Sequence, residues 1–237
     1  MKIIEDKRLK IITAIIMVVL AVGVVAVCFL PSKVVLISGG KTYEPIYSGN
    51  RMGNKVSLTV NVYEGADVVL EMLDVLDEYN AKCTFFVGGC FIDDNTDLIV
   101  KILEKGHEIG SHGYFHKDHS KLSADENLAE MQLLHSLVKK VAGYEIKLFA
   151  PPSGAYSVET LKIAEKMGYK TILWSKDTID WRDKSLKVLY NRATKNISAG
   201  DFVLMHPKKH TLQVLPQILE FYKSKGLLAV TVSECME

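Results

Sequence analysis

From Lys55 onward the sequence alternates short strand-length runs with longer helical patterns, and it keeps this rhythm to the C-terminus. The runs are Val56–Val62, Cys83–Val87, Glu108–Ser111, Lys147–Ala150, Lys170–Trp174, Phe202–Met205 and Leu228–Val232. Helical patterns lie between them over Ala66–Tyr79, Thr96–Lys105, Ser123–Ala142, Val158–Met167, Leu186–Ile197 and Leu212–Lys225. Ser123-Ala124-Asp125-Glu126 opens the third as a capping box, whose side chains satisfy first-turn amides. In the last, Leu212, Leu215, Leu219 and Tyr222 recur at three- and four-residue steps, an apolar stripe that packs on a sheet. Such alternation implies parallel strands joined by right-handed crossovers. Seven strands are one short of an eight-unit barrel. The expected fold is therefore α/β, a distorted (β/α)7-type barrel over residues 55–237.

The N-terminus has a different character. Ile11 to Leu30 is an uncharged apolar run, matching the roughly 20 residues a helix needs to cross a bilayer. Lys2, Lys7, Arg8 and Lys10 precede it, partly offset by Glu5 and Asp6, an excess of positive charge that keeps an N-terminus cytoplasmic. A cleaved signal peptide is the competing reading, but the run ends Ala26-Val27-Cys28-Phe29-Leu30-Pro31 without an Ala-x-Ala site. The expectation is a cytoplasmic tail (1–10), a single-pass transmembrane signal anchor (11–30), an extracellular stem (31–54) with one short strand at Val34–Ile37, and an exported domain (55–237). The net charge of +1 gives no support for nucleic-acid binding. Cys28, Cys83, Cys90 and Cys235 fit no zinc or redox spacing, and unpaired thiols are expected.

Five polar segments each follow or end a predicted strand. They are Asn61 to Glu64 after the first, His112 to His116 after the third, Pro151 to Ser153 after the fourth, Asp177 to Trp181 after the fifth and His206 after the sixth. In a parallel barrel that rim carries catalysis. His112 and His116 are four apart, so a helical turn would set both imidazoles on one face to grip a cation. Taken singly, each segment has an ordinary explanation: exposed histidines, a capped polar loop, a core histidine at a strand end. A carboxylate beside His206 would raise its pKa and make it a usable acid. Asp177, nearest the strand end, is the expected partner, with Asp180 the alternative. Trp181 offers an apolar wall for a sugar ring.

From these segments the chain resembles the polysaccharide deacetylases with a NodB-homology domain, carbohydrate esterase family 4. The resemblance runs from about Lys55 to the C-terminus and is similar to a sporulation-associated Gram-positive branch. His112 and His116 match the family's His-Ser/Thr-x-x-His motif, with Gly113 in the small-residue place. Asp177, Asp180 and Trp181 match Asp-x-x-Asp-Trp, and Leu204 and His206 match Leu-x-His. The resemblance implies a divalent metal, commonly zinc, held by His112 and His116 with Asn61 or Glu64 as third ligand. It implies an N-acetylated glycan such as peptidoglycan as substrate, with Pro151, Pro152, Ser153, Trp181 and Leu204 lining its site and the Ser153 N–H facing the oxyanion. His206 would be the acid.

Two departures stand out. The family's Thr-Phe-Asp-Asp-Gly is Thr59-Val60-Asn61-Val62-Tyr63-Glu64-Gly65 here, so Asn61 occupies the place of the catalytic base. An amide takes no proton from water. Glu64 or a metal hydroxide is left as base. Arg-Pro-Pro-Tyr is Ala150-Pro151-Pro152-Ser153, so the arginine that pairs with that aspartate is gone as well. The expected function is metal-dependent removal of N-acetyl groups from a cell-wall glycan. The alternative is a catalytically silent glycan-binding module; a purely structural membrane protein has little in its favour.

Overall fold

One strand buried on both faces organises the domain. In Lys55–Val62 (β1), Val56, Leu58, Val60 and Val62 are sealed on one side, while Ser57, Thr59 and Asn61 are buried on the other. A strand with no solvent face belongs at the centre of a parallel sheet. The other strands are β2 (Thr84–Val87), β3 (Glu108–Ser111), β4 (Leu148–Phe149), β5 (Lys170–Thr171), β6 (Lys176–Asp177), β7 (Phe202–Met205) and β8 (Leu228–Ala229). They run in the order β5-β4-β3-β2-β1-β7-β6 with β8 beside the start of β1, every pairing parallel. The helices are α1 (Ala66–Glu78), α2 (Gly89–Asp93), α3 (Thr96–Glu104), α4 (Ala124–Ala142), α5 (Val158–Lys166), α6 (Leu186–Thr194), α7 (Lys209–Ser224) and α8 (Val232–Met236).

Two apolar layers result. The outward residues of β1, β2 and β7 pack with Met72, Leu76, Ile99, Leu134, Leu215 and Ile218 from the helices. A smaller inner cluster joins Phe86, Leu148, Ala150, Ile172 and Phe202. Those residues run from Leu148 on β4 and Ile172, just past β5, to Phe202 on β7, so they meet only because the sheet curls. The expected barrel-like α/β fold is present as this curled half-barrel.

The computed structural model describes residues 42–237, together with Met17 and Val18, which are helical and exposed. Those two apart, the tail, the membrane run and the Val34–Ile37 strand fall outside the described residues. Among the described residues no helix is long and apolar enough to cross a membrane. The end of the presumed stem belongs to the half-barrel. Ile46 bridges Ile172 in parallel and Ser48 bridges Asp201 in antiparallel, so this segment spans the seam between the strands' open edges. Tyr43–Glu237 forms one compact unit.

Two strand expectations need correction. Lys170–Trp174 is not one strand: pairing stops at Thr171, the chain crosses the seam, and β6 resumes on the far edge at Lys176. Leu228–Val232 ends at Ala229, because Thr231 and Glu234 close a capping box that starts α8. The Ser123–Glu126 box at the head of α4 forms as expected.

His107, just before β3, is buried, and its Nδ1 accepts the Cys83 N–H at 3.3 Å. Burial, then the Lys82 charge, pushes its pKa from 6.5 down to about 4. The unfolded chain therefore takes up this proton first, and stability is lost as pH falls from about 6.5 towards about 4. The urea midpoint should drop between about pH 7 and about pH 5, and drop less in His107→Gln.

Candidate active site

Side-chain alternation fixes where the polar segments point. Thr59 and Asn61, Gly110 and His112, and Phe202, Leu204 and His206 share the inward parity of their strands. At the C-terminal ends that parity delivers Asn61, His112, Asp177, Leu204 and His206 to one cleft of about 690 Å³. Glu64, His116, Ser153 and Trp181 join them on its walls. Pro151, Pro152 and Asp180 do not reach the lining and sit behind it.

The His112–His116 segment is not the helical turn expected from its spacing. Gly113 (φ 73°) and His116 (φ 55°) both take left-handed conformations, which fold the loop back and set the two imidazole centroids 5.1 Å apart. A Cβ on Gly113 would lie 3.0 Å from His119 Nε2 and 3.2 Å from Glu130 Oε2, so glycine relieves both crowding and backbone strain at this turn. The His112 Nδ1–H donates to the Ala150 carbonyl at 2.7 Å, which leaves Nε2 with its lone pair free. Burial, then the neighbouring His116, drives the His112 pKa to about 3; burial also lowers that of His116. Both rings are neutral at physiological pH.

Glu130 on α4 holds this loop. Its side chain is buried, and Oε2 accepts the Tyr114 N–H at 2.9 Å and the Phe115 N–H at 2.8 Å. Lys117 lies 3.6 Å from Oε1. Alongside, His119 Nδ1 meets Asn127 Oδ1 at 2.7 Å. Glu130 is absent from the sequence-derived site, although a signal exists: Asn127 and Glu130 share the buried face of α4 with Met131 and Leu134. A carboxylate on an apolar face needs donors, and here the donors are the loop amides.

The partner of His206 is Asp180, not the expected Asp177. Asp180 Oδ1 lies 2.7 Å from His206 Nδ1, and Oδ2 accepts the His206 N–H at 2.7 Å and the Thr211 hydroxyl at 2.6 Å. Burial alone would raise the Asp180 pKa, but these bonds and the His206 ring hold it below the ordinary value. Asp177 spends Oδ1 on the Ile179 N–H at 2.7 Å. That bond and the left-handed Ile179 (φ 53°) turn the chain so that Asp180 passes beneath His206. Proximity to the strand end does not decide the pairing; the turn does.

Asn61 Oδ1 is buried without a hydrogen-bond partner. Glu64 is paired with Lys208, with its side chain 65% exposed. The cleft also carries Tyr63, Trp174 and Pro207, which the motifs do not mark. Tyr63 lies against His116, ring centroids 4.7 Å apart. Trp174 packs so closely on Gly154 that a Cβ there would meet its ring at 2.9 Å. Trp181 is 59% exposed at the rim.

As a metal site the residues fit in kind only. His112, His116 and the Asn61 amide oxygen are donors that a borderline divalent ion accepts. No group of three His, Cys, Asp or Glu side chains gathers among the described residues, and none of these three donors is a carboxylate. Replacing Glu130 by Ala strips two loop amides of their acceptor and should cost about 2–4 kcal/mol in urea denaturation. Glu130→Gln keeps an acceptor oxygen and should lose less than half as much. The Tyr114 and Phe115 amide proton shifts should move upfield in the Ala variant and stay close to wild type in the Gln variant.

The sequence profile of the polysaccharide deacetylases matches residues 48–172, more than half of the chain. The uncharacterized protein YlxY of Bacillus subtilis is 36% identical over 194 residues, which span 82% of this chain and 61% of that protein. A peptidoglycan-N-acetylglucosamine deacetylase of Bacillus cereus is 34% identical over 194 residues, spanning 77% of this chain and 89% of the relative. The crystal structure of a wild-type pseudoenzyme of carbohydrate esterase family 4 from Bacillus anthracis superposes with a TM-score of 0.80 at 31% identity, covering 83% of this chain and 70% of that one. A mutant of that pseudoenzyme has restored enzymatic activity. By fold, profile and relatives, this chain belongs to the polysaccharide deacetylase family.

Proposed function

We propose that the cleft takes an N-acetylated cell-wall glycan and hydrolyses its N-acetyl amide, in a domain held outside the cell by the apolar N-terminal segment. The observation that carries this reading is the convergence of His112, His116 and the Asp180-backed His206 on one cleft. The kinship with a peptidoglycan-N-acetylglucosamine deacetylase supports the substrate class. Trp174 and Trp181 supply apolar faces against which a sugar ring stacks.

Each residue has a role in this reading. His112 and His116, with Asn61 Oδ1, would hold a divalent ion, which when bound supplies carbonyl polarisation and a more acidic water. The Ser153 N–H is the backbone donor offered to the oxyanion. His206, oriented through Nδ1 by Asp180, gives its Nε2 proton to the departing amine. Asp177, on the same wall, meets sugar hydroxyls. No side chain of the usual kind takes the proton of the attacking water. Glu64 is the one carboxylate besides Asp177 on the cleft lining, and Lys208 engages it.

A second reading is favoured by that gap and by the likeness to a pseudoenzyme. The same cleft would bind the glycan without hydrolysing it. Acetate release from N-acetylated peptidoglycan fragments, with zinc, cobalt or manganese supplied, separates the two. The hydrolase reading expects slow release by the wild type. It expects Asn61→Asp with Ala150→Arg to accelerate release by about 10²–10⁴, the usual worth of a general base. No wild-type release with any of these ions, together with release by the double variant, would make glycan binding the native role.

A further inference from the structure

A second hollow of about 410 Å³ lies beside the cleft, and Asp177 is part of the wall of both. Its other polar lining residues include Lys176 on β6, Asn191 and Arg192 on α6, and Lys195 and Asn196 just beyond that helix. Three of these side chains are basic and Asp177 alone is acidic. Arg192 is already engaged: NH1 donates to the Thr178 carbonyl at 2.9 Å and lies 2.7 Å from Asp183 Oδ2. Lys176 spends one N–H on the Lys195 carbonyl at 3.2 Å. Among the described residues no carboxylate pairs with Lys176 or Lys195, and the side-chain amides of Asn191 and Asn196 have no protein partner. Asp177, the acid on the lining, has Oδ1 turned to the Ile179 N–H.

The hollow is therefore lined by two lysines without a carboxylate partner, one with a single N–H spent on a carbonyl, and by two side-chain amides without a protein partner. Charge-assisted hydrogen bonds to an anionic oxygen are the strongest contacts such a set can make. The guanidinium that would favour a bidentate phosphate is occupied by Asp183. A linear glycan with its N-acetyl group at His206 would pass over Asp177 to reach this hollow. We propose that the hollow is a subsite for a carboxylate borne by the glycan chain that occupies the cleft. The proposal rests on the reading of the cleft as a glycan site. The subsite selects peptide-substituted cell-wall glycan over a neutral N-acetylated polymer.

Calorimetric titration of the whole chain tests it. The probes are a peptidoglycan tetrasaccharide carrying its peptide carboxylates and the same compound after methyl esterification. The wild type should bind the charged form about tenfold more tightly, about threefold for each lysine, as two partly exposed ion pairs allow. The preference should shrink at about 0.5 M salt. It should vanish in Lys176→Gln with Lys195→Gln, where glutamine at 176 keeps a donor for the Lys195 carbonyl. Affinity for the ester should be the same in wild type and variant, which also reports that the variant is folded. Equal wild-type binding of acid and ester, or a variant that retains the preference, overturns the subsite and leaves the glycan reading intact. Binding of neither form overturns both.

Discussion

Burial of β1 on both faces is the constraint on which the rest depends. A strand with solvent on neither side must find parallel neighbours and cover above and below. Its outward residues are wholly aliphatic, and they anchor α1 and α7. Its inward residues, Ser57, Thr59 and Asn61, are polar, so the lumen beneath the cleft cannot be filled by β1 alone. Phe86, Leu148, Ile172 and Phe202 fill the lower part from other strands. The upper part stays open, and the inward parity places Asn61, His112 and His206 around the opening. Core and cleft are two ends of one alternation.

Two buried carboxylates then set the geometry of the imidazoles. Glu130 and Asp180 each sit out of solvent, where an unpaired charge costs several kcal/mol. Each is satisfied by backbone N–H groups: Tyr114 and Phe115 for Glu130, His206 for Asp180, with Thr211 adding its hydroxyl. Because the donors belong to the loops that bear the histidines, satisfying the acid fixes the loop. With the Ala150 carbonyl fixing the His112 tautomer, these bonds hold the loop of His112 and the ring of His206 in place before any ligand arrives.

The sequence makes the sheet legible because its signals are local. Period-two runs and the 3.6-residue stripe of α7 follow from single elements, as does the capping box of α4. The gathering of the polar segments at one rim is legible too, since strand ends in parallel sheets share a side. What escapes is what depends on the path between elements. Lys170–Trp174 has the composition of one strand, and nothing local says that the chain leaves the sheet at Thr171 to reappear on the opposite edge. The His112–His116 spacing suggests a helix, but Gly113 and His116 bring the rings together by positive φ instead. Asp177 lies nearer the strand, yet its carboxylate is used up by the turn that carries Asp180 under His206. Glu130 is visible only to a search for charges on apolar helix faces. The apolar run from Ile11 to Leu30, twenty uncharged residues in the sequence, lies almost wholly outside the described structure.

The paired replacement of an aspartate by Asn61 and an arginine by Ala150 changes the electrostatics of the cleft more than its shape. An arginine at position 150 without an acid opposite it would be a buried cation with no counter-charge; an aspartate at 61 without the arginine would be the reverse. With both neutral, positions 61 and 150 bring no charge to the cleft, and His112 and His116 remain uncharged through burial. Such a surface suits a neutral N-acetyl group well. A divalent ion would bring two charges to His112, His116 and the Asn61 amide, all neutral donors, with Asp180 engaged by His206 and Thr211, Glu64 turned to Lys208 and Asp177 Oδ1 holding the Ile179 N–H. Catalysis would need that ion to stay; glycan binding would not. The affinity of these neutral donors for a divalent cation, together with the base that Asn61 does not supply, therefore separates an enzyme from a binder on this fold.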